Sequence, residues 1–297
     1  MDKSRGTLQK NVLQGLTVRE AMRRQIISLP AGAGFDRCIR ALIKYKVNAL
    51  LVTGHRQEAL GVVSKTDLMG AYYAGLPLTT PLQDIMVGPP RFCRADDSLD
   101  AALDVMRAHR IHRLYVEEEQ GGQAAGVLAY PDIVGLLYRY CHRCDRSILR
   151  SGKTGADLAE HLTVREVMTP GVEAVAESAG LAQVMEALAA ARLAAVLVRD
   201  ETGLPVGVVS KTDLILAYLH GLPHATPART IMNFPVQDLP QDEMLALAVQ
   251  QMIFSDIHRL FVYKEDHRDI VGVLSLSDAA RFRSGACRAC LTSRIKI

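Results

Sequence analysis

The sequence predicts an α/β (α+β) fold built from four copies of one β-α-β-β-α unit, arranged as two tandem pairs, and two internal periods predict it. Leu16-Thr17-Val18-Arg19-Glu20-Ala21-Met22 recurs as Leu162-Thr163-Val164-Arg165-Glu166-Val167-Met168, a shift of 146 residues. The same shift carries Gly61-Val62-Val63-Ser64-Lys65-Thr66-Asp67-Leu68 onto Gly207 through Leu214 without a change, and Ile111-His112-Arg113-Leu114 onto Ile257-His258-Arg259-Leu260. A second shift, of 65, takes the motif from Gly61 through Asp67 to Gly126 through Asp132, and its last copy runs from Gly272 through Asp278. Matches that hold one register over about 130 residues mean two homologous halves, each itself double.

Each element of the unit follows from local pattern in the first copy. Leu16 to Met22 reads as a short opening turn, and Met22, Met86, Met168 and Met232 recur at its end, where an unbranched thioether suits an irregular gap in a core. Ile26 to Leu29 is an extended piece closed by Pro30. Phe35, Cys38, Ile39, Leu42 and Ile43 recur at the three-four spacing of an amphipathic helix. Ala49 to Val52 and Leu60 to Val63 are apolar runs separated by a polar turn, expected as strands buried on both faces. A second helix starts after Ser64 and stops at Gly75. One such unit cannot cover its own sheet, so two must pair back to back.

Composition narrows the function classes. At 297 residues and 49% hydrophobic content the chain has material for about two ordinary domains, which excludes whole-chain disorder. Lys+Arg 35 against Asp+Glu 32 leaves a net charge of +3, without the basic footprint of a dedicated nucleic-acid binder. No stretch is long and apolar enough for a membrane span or a secretory leader, so a soluble, cytoplasmic chain with no membrane contact is expected. No nucleophile elbow, phosphate loop, H-E-x-x-H or complete dinucleotide fingerprint is present, and the expectation is a non-enzyme.

The chemistry-bearing residues sit in the repeats. Ser64 to Asp67 lies where a strand feeds a helix, so free backbone N–H groups and the positive end of the helix dipole meet there. Lys65 and Lys211 add charge, and a carboxylate such as Asp67 or Asp213 can accept both vicinal hydroxyls of a ribose. The alternative is purely structural: Ser-x-x-Asp is also a capping box, in which Ser64 or Ser210 caps the helix and the aspartate reaches back. His112-Arg113 and His258-Arg259 precede apolar strands, so one member of each pair can enter a cleft and fork onto a phosphate, unless Arg113 merely pairs with Glu117 or Glu118.

These motifs resemble those of the cystathionine-β-synthase (CBS) domain family, whose units pair into Bateman modules, and the layout is similar to the four-repeat gamma subunit of AMP-activated protein kinase. The resemblance runs from about Leu16 to Asp278. It implies residues 16–144 as one Bateman module (repeats about 16–75 and 80–140) and 161–290 as a second (repeats about 162–221 and 226–283), packed as a pseudo-symmetric disc. Residues 1–15 would be an N-terminal segment, 145–160 a linker and 291–297 a tail. The implied function is regulatory binding of AMP, ADP, ATP or S-adenosylmethionine between paired repeats, signalled to an unidentified protein partner by conformational change. The implied ribose carboxylates are Asp67, Asp132, Asp213 and Asp278, the hydroxyls Ser64, Ser210 and Ser275, and the phosphate cations those of the His-Arg pairs. The second copy departs from the pattern, with Ala129 in the hydroxyl position and Pro131 before Asp132.

One feature falls outside the repeats. Cys141-x-x-Cys144 and Cys287-x-x-Cys290 keep the 146 shift, and two such pairs can hold one zinc or iron, form disulfides, or remain inert thiols. A metal- or redox-responsive interaction protein is therefore an alternative, as is a ligand-free scaffold, and a homodimer is left open.

Overall fold

A computed structural model describes residues 15–117, 123–139 and 162–281. Unit 1 contains helix α1 (Val18–Ala21), strand β1 (Ser28–Pro30), helix α2 (Phe35–Lys44), strands β2 (Ala49–Thr53) and β3 (Ala59–Ser64) and helix α3 (Lys65–Tyr73). Unit 2 repeats the order with β4 (Phe92–Arg94), α4 (Leu99–Ala108), β5 (Arg113–Glu117), β6 (Gly126–Ala129) and a helix α5 over 130–139. In the second half, unit 3 comprises β7 (Thr169–Pro170), β8 (Ala174–Ala176), α6 (Leu181–Ala190), β9 (Ala195–Arg199), β10 (Pro205–Ser210) and α7 (Lys211–Leu219). Unit 4 comprises β11 (Asp238–Pro240), α8 (Leu245–Phe254), β12 (Arg259–Tyr263), β13 (Ile270–Ser275) and α9 (Leu276–Arg281).

Each unit forms one small sheet whose middle strand pairs parallel with the first and antiparallel with the third, as β1-β2-β3 shows. The helix spacing is realised: Phe35, Cys38, Ile39 and Leu42 are buried and Ile43 partly so. The strands differ from expectation in one respect. Middle strand β2 is buried along its whole length, whereas β3 alternates between buried and partly buried positions. Gly75 and Gly221 follow α3 and α7 with φ +69 and +67, the left-handed stop that a glycine adopts without strain.

The four units close into a ring. Sheets face each other within each half: Leu51 packs with Tyr115 and Val127, and Leu197 with Phe261 and Ile270. Helices join the halves, since one apolar core runs through units 1 and 3 and another through units 2 and 4. At the first junction Tyr72 and Tyr218 stack at 4.9 Å, and each hydroxyl donates to a carbonyl of the other half, Leu222 and Leu76 respectively. Lys46 of unit 1 pairs with Asp256 of unit 4 across the middle. This is the layout of two tandem Bateman modules.

The opening turns lie on the neighbouring unit. Residues 17–23 come first in the chain, yet Val18 donates to the Asp97 carbonyl at 2.9 Å and Arg23 bridges to Val127, both in unit 2. Val87 bridges to Val62 in unit 1, Asn233 to Val208 in unit 3, and β7 pairs with β13 in unit 4. Each turn brings its methionine over a strand glycine. A Cβ added at Gly61 would lie 2.9 Å from the Met86 sulfur, at Gly126 3.1 Å from that of Met22, and at Gly207 and Gly272 2.8 Å from those of Met232 and Met168. The four motif glycines are thus the sockets of the four methionines.

Candidate functional site

The strand-to-helix motif builds the same local structure in units 1 and 3. The Ser64 N–H and hydroxyl both donate to Asp67 Oδ2 at 2.7 Å, and Ser210 does the same to Asp213. Ser275 donates to Asp278 Oδ2 at 2.9 and 2.6 Å, and in the serine-free copy the Ala129 N–H alone reaches Asp132 Oδ2 at 2.8 Å. The capping box is therefore real. It engages only one carboxylate oxygen, and the other is left for whatever the cleft supplies.

What reaches that second oxygen differs from copy to copy. Arg23 Nε meets Asp132 Oδ1 at 2.6 Å, with the Asp132 side chain only 8% exposed. Burial raises the Asp132 carboxyl above the ordinary aspartate range, while Arg23 and Arg113 pull it down. Asn233 Nδ2 donates to Asp213 Oδ1 at 2.8 Å. Among the described residues nothing donates to Oδ1 of Asp67 or of Asp278. Arg23 and Asn233 were not singled out from the sequence. The signal was there, because they are the residues directly after the repeated methionines.

The cations converge where the four units meet. Lys65 Nζ donates to Thr212 Oγ1 and Lys211 Nζ to Thr66 Oγ1, both at 2.9 Å, a reciprocal exchange across the two halves. Arg113 donates to the Ala49 carbonyl of unit 1 and lies beside the Tyr115 hydroxyl, and Glu118, one of its two expected partners, lies outside the described residues. His258 Nδ1 lies 3.4 Å from Asn48 Nδ2. His112 packs edge-on against Tyr130, with ring centroids 5.6 Å apart.

Burial is the main influence on the cations of this cluster, with neighbouring aspartates opposing it. Burial lowers Lys65 to about 8, with Asp213 opposing and Arg113 adding to the drop. Burial lowers Arg259 to about 10 against the pull of Asp278, and lowers Lys211 with help from Arg259. Burial also lowers His258, with Lys65 contributing. Desolvation and mutual repulsion disfavour the charged forms of these groups, and a multivalent anion beside them would relieve both.

Cys141, Cys144, Cys287 and Cys290 lie outside the described residues. Among the described residues no group of three or more His, Cys, Asp or Glu could hold a metal ion, and no helix is long and apolar enough to cross a membrane. Burial pushes the remaining thiols, Cys38 and Cys93, up to about 12.

Comparison with known proteins agrees with the fold. The CBS domain family model matches residues 18–74, 82–139, 164–220 and 228–285. Among solved structures the chain is similar to a Methanocaldococcus jannaschii protein proposed as an archaeal homolog of g-AMPK, at 14% identity and TM-score 0.74, covering 90% of this chain and 99% of that one. It is also similar to an uncharacterised conserved protein from Pyrococcus horikoshii, at 18% identity and TM-score 0.59, covering 90% and 100%. A CBS domain protein from Pyrobaculum aerophilum, complexed with AMP, matches 40% of this chain and 90% of its own at 27% identity and TM-score 0.38. No curated protein matches the sequence.

Proposed function

The chain belongs to the CBS-domain family, and from that premise we propose that it is a regulatory module binding the phosphorylated adenosines AMP, ADP or ATP between its repeats. One observation carries the choice of ligand: Lys65, Lys211, Arg113, Arg259 and His258 meet at the centre of the ring, each lowered from its ordinary pKa by burial. A phosphate chain supplies the negative charge that this centre lacks, whereas S-adenosylmethionine would bring a sulfonium cation into it. The caps engage one carboxylate oxygen of Asp67 and of Asp278, and in this reading the other accepts from ribose hydroxyls.

The regulatory step follows from where the cations come from. Lys65 and Arg113 belong to one half and Lys211, Arg259 and His258 to the other, so an anion at the centre binds best when the halves hold one particular packing. Its differential affinity for that packing is what a protein partner would sense.

Calorimetric titration tests the ligand class. ATP is expected to bind more tightly than S-adenosylmethionine, and Lys211→Met to weaken ATP about tenfold or more, since a hydrogen bond to a charged group is worth about 1.5–3 kcal/mol. Preference for S-adenosylmethionine, or unchanged ATP affinity in Lys211→Met, would refute the assignment.

A further inference from the structure

Four carboxylates occupy matching positions, but the residue that each exchanged opening turn delivers beside them does not match. It is the residue immediately after the repeated methionine: Arg23 at Asp132, Val87 on the motif strand of Asp67, Thr169 on that of Asp278 and Asn233 at Asp213. Shifted by 146, Arg23 aligns with Thr169 and Val87 with Asn233, so the two halves differ at both positions. Where the residue is Arg or Asn, the second carboxylate oxygen is taken, at 2.6 and 2.8 Å. Where it is Val or Thr, no group among the described residues donates to it.

We infer that this chain binds two nucleotides, one in each half, on Asp67 and Asp278, and that Arg23 and Asn233 are built-in occupants that close the sites of Asp132 and Asp213. The inference rests on the nucleotide reading above and specifies which clefts it uses. A ribose approaching Asp132 would have to displace a charge-assisted bond to a carboxylate that is 8% exposed, and the same copy lacks the serine hydroxyl. At Asp213 the Asn233 amide donates where a ribose hydroxyl would. At Asp67 the corresponding side chain is Val87, 63% exposed and without a donor, while Lys211 lies close enough to feel the carboxylate. At Asp278 the nearby cation is Arg259.

Occupancy is therefore set by one residue per site, and it can be transplanted. Titration of the full chain with ATP is expected to give two sites per chain. Val87→Asn and Thr169→Arg, both at exposed positions, are each expected to remove one site, and the double variant to retain none, with the native fold checked by circular dichroism. Asp132→Asn is expected to leave two. Four sites in the native chain, two sites persisting in the Val87→Asn and Thr169→Arg variants, or loss of a site in Asp132→Asn would overturn the assignment of clefts while leaving nucleotide binding intact. A native chain that takes up no ATP, ADP or AMP would instead refute the nucleotide reading itself.

Discussion

On the proposed reading, Lys65 is held for binding at a cost to stability. It is the first residue of α3, carried by the helix start against unit 3, and burial lowers it from 10.5 to about 8. Between those two values the unfolded chain binds more protons than the folded one, so the ligand-free protein gains stability as pH rises through this window. A bound phosphate reverses the preference and raises the lysine again. ATP binding at pH 8.5 is therefore expected to take up a proton, seen as a binding heat that varies with the ionisation heat of the buffer. Its affinity should fall as pH rises past about 8, and a heat independent of buffer would contradict the placement of Lys65 at the phosphates. The motif containing Lys65 was legible because identical residues recur at a fixed shift. Its partner Thr212 was not, since a donor-acceptor exchange between halves depends on how two distant helix starts meet.

At the scale of elements, the unit order, the buried face of α2 and the glycine stops of α3 and α7 could all be read from periodicity and turn chemistry. The ends of the other long helices could not. Lys46, Arg110, Arg192 and Asp256 follow α2, α4, α6 and α8 with φ of 52 to 54, left-handed positions occupied here without the glycine that would signal them. Lys46 and Asp256 use the position to meet across the ring. The exchanged opening turns were equally hidden, because chain order places residues 17–23 in the first repeat while their hydrogen bonds lie in the second. Their signature was the pairing of repeated methionines with repeated glycines. Gly61→Ala would set a Cβ 2.9 Å from the Met86 sulfur, and overpacking of this kind costs about 1–3 kcal/mol. Chemical denaturation is expected to show that loss, with the Gly61→Ala, Met86→Ala double variant less unstable than the sum of the two single changes. Strict additivity would separate the glycine from the methionine.

For the molecule as a whole, a duplicated sequence closes four similar units into a ring, and the proposed reading makes their carboxylate sites unequal. The sheets join units within a half and the helices join the halves, so the cations of the centre are contributed from both sides. Fold class was legible at this scale because a duplicated sequence announces its own symmetry. The different partners of the four motif strands were not, since the residues after Met22, Met86, Met168 and Met232 meet those strands only because the opening turns cross over. The central claim is that the buried cations exist for an anionic ligand, and a thermal melt of the native chain beside Lys65→Met, Lys211→Met tests it most directly. With ATP at about 100 times its dissociation constant the native midpoint should rise by about 4 °C for each occupied site. The double variant, relieved of two desolvated charges, should melt no lower than the native chain without ligand and gain little from ATP. A native midpoint that ATP does not move, or a double variant that responds to ATP as the native chain does, would contradict the claim.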